Sequence, residues 1–146
     1  MKTGKFLISF IAVFTAVSPY LADWNETHIY NPNWLPHTKF HNAQTIVFGA
    51  LLGVLSLWSL WLRKTINEKE QVNQGTLFAS LYWLAQMPAI LFPGTAFNDK
   101  GGLEMPVVFG VQTNQLIMCI FFILPLITLG YFLETKRIDK FSSLNN

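Results

Sequence analysis

Four long apolar stretches separated by short polar segments divide the chain. They cover residues 6–22, 43–62, 76–97 and 107–133, and none contains Asp, Glu, Lys or Arg. A helix needs ~20 residues to cross ~30 Å of hydrocarbon, which matches these lengths. No polar stripe recurs at helical spacing, as the outer faces of a soluble bundle would require. The pattern predicts an all-α fold, a four-helix transmembrane bundle in which residues 1–146 form a single integral membrane domain.

The distribution of charged residues predicts how the spans are oriented in the membrane. Only 12% of the 146 residues are charged, and most basic residues fall on one side of the four spans. Since short cytoplasmic loops are enriched in Lys and Arg, this asymmetry predicts that both termini are cytoplasmic (N-in/C-in). We expect a bacterial inner (plasma) membrane protein with periplasmic outer loops. The net charge of +2 gives no reason to expect nucleic acid as a partner. The cytoplasmic set is Lys2, Lys5, Arg63, Lys64, Lys69, Lys136, Arg137 and Lys140, and the outer set is Lys39 and Lys100.

The first span begins like a secretory signal peptide, with two lysines before an apolar run. Cleavage needs small residues at −3 and −1. Ala16-Val-Ser18 provides them but is followed by Pro19, and Tyr20-Leu-Ala22 has a bulky residue at −3. We therefore expect this span to remain as an anchor.

Residues 23–42, called the polar segment below, hold all three histidines of the chain. Within it, Asp23 and His28 are the candidate catalytic residues, because a carboxylate beside an imidazole makes a general base. No GxSxG elbow supplies a nucleophile. We expect the segment to be ordered on the bundle and to form hydrogen bonds through Asp23, His28 or His37. Aromatic burial alone is too small to offset the entropy of ordering it.

His37 and His41 form an HxxxH pair, and two histidines four residues apart on a helix can share one metal ion. Pro36 can occupy the first turn of that helix. A third ligand could be His28, Asp23, Glu26 or Glu104, and zinc or iron would suit such a set. The alternative is that these histidines lie at the membrane interface and form hydrogen bonds to neighbouring amides.

Amide side chains inside the spans fall in their outer or middle parts. Buried amides need partners in hydrocarbon, so they predict an outward-opening cavity for an apolar small molecule. The alternative is that they only hold the helices together. The candidate ligand-binding residues are Asn31, Trp34, Gln44, Gln112, Asn114 and Gln115, with Gln86 as a further amide in the third span.

The run from Asp23 to His41 resembles the signature of a family of small four-span membrane proteins, a domain of unknown function. The family pattern is D-x-x-x-T-H-x-x-N-P-x-W-P-P-H-x-x-F-H, and this chain departs from it at Leu35. The resemblance implies that Asp23, His28, Asn31, Trp34, His37 and His41 form the site. A looser similarity links the span layout to the emopamil-binding and sigma-2-receptor-like superfamily, whose members isomerise sterols or bind cationic amphiphiles. Those proteins use acidic residues within the bundle, where this chain has amides.

Three functions fit these observations. The favoured one is a small-ligand or metal site on the outer face of a multi-pass membrane protein. The second is a membrane enzyme that acts on a lipid or an apolar small molecule through acid–base or metal chemistry. The third is an accessory subunit of a larger membrane complex. Neither the reaction nor the oligomeric state follows from the sequence.

The predicted topology can be tested with single cysteines in a Cys119→Ser background. A cysteine at Asn25 should react with a membrane-impermeant thiol reagent added to intact cells, and one at Ser142 should react only after lysis. Labelling of the Ser142 position in intact cells would contradict the N-in/C-in arrangement.

Overall fold

The computed structural model describes residues 2–64, 67–97 and 107–144, and four helices account for most of them. The helices are α1 (Thr3–Asp23), α2 (Pro36–Leu62), α3 (Glu68–Ala89) and α4 (Gln115–Leu144). Three of them, α1, α2 and α4, are long and apolar enough to cross a membrane. α3 is less apolar because its first turn carries Glu68, Lys69 and Glu70.

Local sequence explains where the helices begin. Pro36 lies in the first turn of α2, as predicted, where its missing N–H costs no helical hydrogen bond. The side chain of Asn67 caps α3 by accepting from the backbone N–H groups of Lys69 (2.9 Å) and Glu70 (3.3 Å). Asn114 caps α4 in the same way, accepting from the N–H of Ile117 at 2.9 Å.

Two predicted spans differ from the helices that form. α3 ends at Ala89, short of residue 97, because Pro88 ends the helix and the Thr95 hydroxyl closes the following turn on the carbonyls of Ala89 and Phe92. α4 begins at Gln115 instead of residue 107. The residues before it form a hairpin, β1 (Val107–Val108) paired antiparallel with β2 (Val111–Gln112), so the fold is not purely α. The predicted helix start at Pro106 lies outside the described residues.

Each of the two longest helices contains a π-helical turn. The turn at Cys119–Ile123 lies directly before Pro125 in α4. Proline cannot donate to the carbonyl four residues earlier and its ring crowds that carbonyl, so a wider turn there relieves the clash. A second π-turn, Trp58–Leu62, ends α2, where the N–H of Arg63 donates to the carbonyl of Trp58 at 2.8 Å.

Helix α1 lies at the centre of the bundle and packs against all three other helices. Its backbone approaches α2 at Gly49 and Gly53, a GxxxG spacing that permits close helix contact in membranes. A Cβ added to Gly53 would lie 2.4 Å from the carbonyl oxygen of Ala12. The buried core lies mainly between α1, α3 and α4 and consists of Ile8, Ile11, Leu60, Val72, Ala79, Trp83, Cys119, Ile123 and Ile127.

An ionic network joins the four helices at one end, called the Lys5 end. Lys5 is 2% exposed, and its ammonium donates to the Leu60 carbonyl at 2.8 Å and to the Gln71 side chain at 3.0 Å. Glu134 is fully buried and accepts from the Arg137 Nε at 2.7 Å. A second Arg137 nitrogen donates to Glu68 at 2.8 Å.

This network satisfies charges that would be costly to bury alone. The hydrogen bond from Arg137 also lowers the pKa of the Glu68 carboxyl, which lies before the apolar part of α3. The Lys5 end of the bundle is therefore held together by polar contacts between the helices.

The contact between α1 and α2 predicts that Gly53→Ala is strongly destabilising. The new methyl would overlap backbone, which cannot rotate away, and overpacking costs about 1–3 kcal/mol or more. Thermal unfolding of the detergent-solubilised protein measures the loss. Val54→Ala is the matched control, since Val54 is 60% exposed and its truncation should change stability by less than about 0.5–1 kcal/mol. Equal effects of the two changes would contradict the close-contact interpretation.

Candidate functional site

A cavity of about 790 Å³ lies at the end of the bundle opposite Lys5, called the Asp23 end. It is formed where α1 and α3 finish and where α2 and α4 begin. Its lining combines small and aromatic side chains with a few polar ones. The lining residues are Ser18, Pro19, Ala22, Asp23, Thr27, His28, Gln44, Thr45, Phe48, Tyr82, Trp83, Ala85, Gln86, Ala89, Ala96, Phe97, Gln115 and Met118.

Trp83 fixes the deep wall of this cavity. Its indole is 2% exposed and its Nε1 donates to the Thr15 hydroxyl at 2.8 Å. The ring also stacks on Phe14, with centroids 5.6 Å apart and an interplanar angle of 12°. Tyr82 meets Trp83 edge-on at 5.3 Å. These contacts hold two large aromatic rings rigidly, as a preformed apolar pocket requires.

Two amides meet across the cavity. Gln86 of α3 donates through its Nε2 to the Oε1 of Gln115 of α4 at 2.8 Å. The Oε1 of Gln86 is buried and has no hydrogen-bond partner within the part of the chain that the structure describes. A buried unpaired amide oxygen costs about 1–3 kcal/mol.

The polar edge of the cavity is built around Asp23, the last residue of α1. One carboxylate oxygen accepts from the Asn42 amide at 2.9 Å, and the other lies 3.8 Å from His28 Nε2. His28 Nδ1 lies 2.7 Å from the Thr27 hydroxyl, which is itself 2.6 Å from the Asn25 side-chain oxygen. The predicted Asp23–His28 pair is therefore present, at a separation longer than a hydrogen bond.

His37 and His41 also meet as predicted. Their Nε2 atoms are 3.0 Å apart, and the Nδ1 of His41 lies 3.3 Å from the Oε1 of Gln44. His28 does not join them. Among the described residues, no group of three or more His, Cys, Asp or Glu side chains is arranged to hold a metal ion. Glu104, another predicted third ligand, lies outside the described residues. Of the ligands predicted for a zinc or iron site, only His37 and His41 lie together among the described residues.

The candidate ligand-binding residues separate into two groups. Gln44 and Gln115 line the cavity. Asn31 instead stabilises the turns of the polar segment, donating to the Thr27 carbonyl at 3.1 Å, and Trp34 contacts the His28 ring edge-on at 5.2 Å. Two others are absent from the lining, since Gln112 belongs to β2 and Asn114 caps α4.

The polar segment is ordered, as predicted. It forms consecutive turns in which Asn25 receives backbone hydrogen bonds from His28 and Tyr30, and Trp24 donates through its indole to the Tyr30 hydroxyl. The contact between Asp23 and Asn42 then joins its two ends. The side chains of Trp24 and Tyr30 remain about half exposed, so hydrogen bonds contribute more to this order than aromatic burial does.

Comparison with protein families assigns this membrane-protein-like chain to a family. The chain belongs to the family of unknown function DUF6640, whose model matches residues 7–143. No curated protein and no solved structure matches the chain. The resemblance to a family of unknown function is thus confirmed, and no relative links the chain to the emopamil-binding superfamily.

The sequence prediction missed the aromatic and small residues of the cavity. Tyr82, Gln86 and Ala89 recur at the spacing of one helical face, with Trp83 and Ala85 beside them. Gln86 shares this face with Ala89 in an otherwise apolar stretch, and this pattern is the sequence signal that could have located the α3 wall of the cavity.

The contacts of Asp23 predict that Asp23→Ala loosens the polar segment. The change removes the acceptor of the Asn42 amide, and a hydrogen bond to a charged group contributes about 1.5–3 kcal/mol. Amide hydrogen exchange in residues 24–35 should therefore accelerate by about ten- to a hundredfold. Asp139→Ala, which removes an exposed pair with Lys69 at the other end, is the control and should leave that exchange unchanged. Unaltered exchange in Asp23→Ala would show that the segment is held by other contacts.

Proposed function

We propose that this protein is a multi-pass membrane protein whose cavity at the Asp23 end binds a small, largely apolar molecule. The observation that carries this proposal is the cavity itself. Its volume of about 790 Å³ falls within the 300–1,000 Å³ range of small-molecule sites. Its lining has the composition of such sites, since aromatic and small residues predominate and a few polar groups converge.

The membrane setting follows from the helices and the charges. α1, α2 and α4 qualify as spans by themselves, and α3 completes the four-span arrangement by packing against all of them. Lysines and arginines concentrate at the Lys5 end, which supports a cytoplasmic position for this end and an outward-facing cavity. A bacterial inner membrane with the polar segment in the periplasm is consistent with this arrangement.

The polar groups suggest how a ligand would be oriented. Its apolar body would lie against Phe48, Tyr82 and Trp83, and a hydrogen-bond donor would reach the unpaired Gln86 oxygen. A cavity of this kind favours a ligand site over an accessory subunit, which would need only a flat contact surface. Membrane lipid or another apolar molecule could supply the ligand.

The second candidate is an enzyme that uses the same cavity. Asp23 and His28 both line it, at 3.8 Å from each other, and hydrogen bonds between catalytic groups are often longer in the absence of substrate. In this case His28 would take up or release a proton at the polar edge, and Asp23 would orient the imidazole. No covalent step is involved.

The ligand proposal can be tested by filling the cavity. Wild-type protein and Ala85→Trp are purified in parallel from membranes, and organic extracts of both are compared by mass spectrometry. We expect one small apolar molecule to be enriched with the wild type and to be lost from Ala85→Trp, because the indole would occupy its place. Gln86→Leu should retain about tenfold less of it, since the polar contact is lost.

Val54→Trp is the matched control, because it adds the same indole to an exposed position of α2 outside the cavity. It should retain the molecule at the wild-type level. The proposal is wrong if wild type and Ala85→Trp, eluting at the same position in size-exclusion chromatography, carry identical extracts.

A further inference from the structure

A second polar site lies on the first turns of α2, outside the cavity. It consists of His37 and His41, both exposed, which face each other on the same side of the helix. Neither histidine is part of the cavity lining. The pair therefore has no role in the proposed ligand site.

The separation of the two imidazoles equals that of two neighbouring ligands on one metal ion. Nitrogen lies about 2.0–2.1 Å from a bound first-row divalent metal, so two nitrogens are roughly 2.9 Å apart at a right angle and roughly 3.3 Å apart at the tetrahedral angle. The two Nε2 atoms share a hydrogen bond at 3.0 Å, a separation that lies within this range.

Gln44 prepares one of these nitrogens for metal binding. Its Oε1 lies 3.3 Å from the Nδ1 of His41 and can only accept a hydrogen bond. In the neutral His41 tautomer with its proton on Nδ1, Nε2 accepts a hydrogen bond from the Nε2–H of His37. A metal ion between the two rings would replace this proton, which His37 would then carry on Nδ1. Metal-bound histidines are commonly oriented by such a contact to their other nitrogen.

We propose that His37 and His41 bind one divalent transition-metal ion through their Nε2 atoms, with Cu²⁺ preferred over Zn²⁺. Gln44 is a positioning residue that fixes the ring of His41. Among residues 2–64, 67–97 and 107–144 there is no third side chain of the His, Cys, Asp or Glu type in the group, so water completes the coordination. Imidazole nitrogen suits Cu²⁺, and Cu²⁺ also binds such ligands more tightly than Zn²⁺ does. The proposal does not depend on a ligand in the cavity.

The experiment is a titration of the full chain, in detergent and free of added chelator, with Cu²⁺ alone and with Zn²⁺ alone. Wild type should bind one Cu²⁺ more tightly than Zn²⁺, with an electron paramagnetic resonance spectrum showing two equatorial nitrogens. His37→Ala and His41→Ala should each weaken Cu²⁺ binding by more than about a hundredfold, and Gln44→Leu by about tenfold. The matched control is His28→Ala, which removes the third histidine and should bind like wild type.

Circular dichroism of each variant checks that the helices are intact, which is expected because the substituted rings are exposed. The proposal is overturned if the His37→Ala/His41→Ala double variant binds Cu²⁺ as tightly as wild type. Loss of binding in His28→Ala would place the ion at the Asp23 pair instead, and tighter binding of Zn²⁺ than Cu²⁺ would contradict the proposed preference for Cu²⁺.

Discussion

The close contact between α1 and α2 is the constraint on which the remaining structure depends. Helices in a membrane gain little from the hydrophobic effect when they associate, so they rely on van der Waals contact between backbones. Gly49 and Gly53 allow this contact, and any Cβ at Gly53 would overlap the carbonyl of Ala12. A similar approach occurs at Gly4, where a Cβ would lie 2.3 Å from the carbonyl of Gly130 in α4. These two contacts fix α1 against both α2 and α4.

The two ends use polar residues in opposite ways. At the Lys5 end, Lys5 and Glu134 are buried and hydrogen-bonded, and Arg137 is partly buried between Glu134 and Glu68, so polar contacts connect the helices there. At the Asp23 end, polar groups surround an open volume, and the Gln86 oxygen has no partner among the described residues. Buried polar groups are normally paired. Of the four buried side-chain atoms without a partner among the described residues, only that of Gln86 belongs to a residue that lines the cavity.

Much of the fold follows from the sequence because apolar length and basic flanks are properties of single segments. The helix start at Pro36 was predicted correctly from the proline itself, and the order of the polar segment from its hydrogen-bonding side chains. The end of α3 and the start of α4 were not predicted correctly. The Thr95 turn and the hairpin that begins at Val107–Val108 depend on contacts that hydropathy does not show. In the candidate site, neighbours on one helix or turn, such as His37 and His41, could be paired from spacing. The walls of the cavity could not, since Trp83 and Thr15 meet only through the packing of α3 on α1.

Pro19 in α1 has a consequence for the same helix contact. It has no N–H to donate to the carbonyl of Thr15, four residues earlier, which would otherwise receive the regular helical hydrogen bond. The Cβ position of Gly49 lies 2.9 Å from that oxygen. A Cα–H of Gly49 therefore points at the carbonyl that receives no hydrogen bond from Pro19. Such C–H···O contacts are weak but recur where helices touch. Pro19 and Gly49 therefore act together, and the proline at the cavity and the helix contact beside it depend on each other.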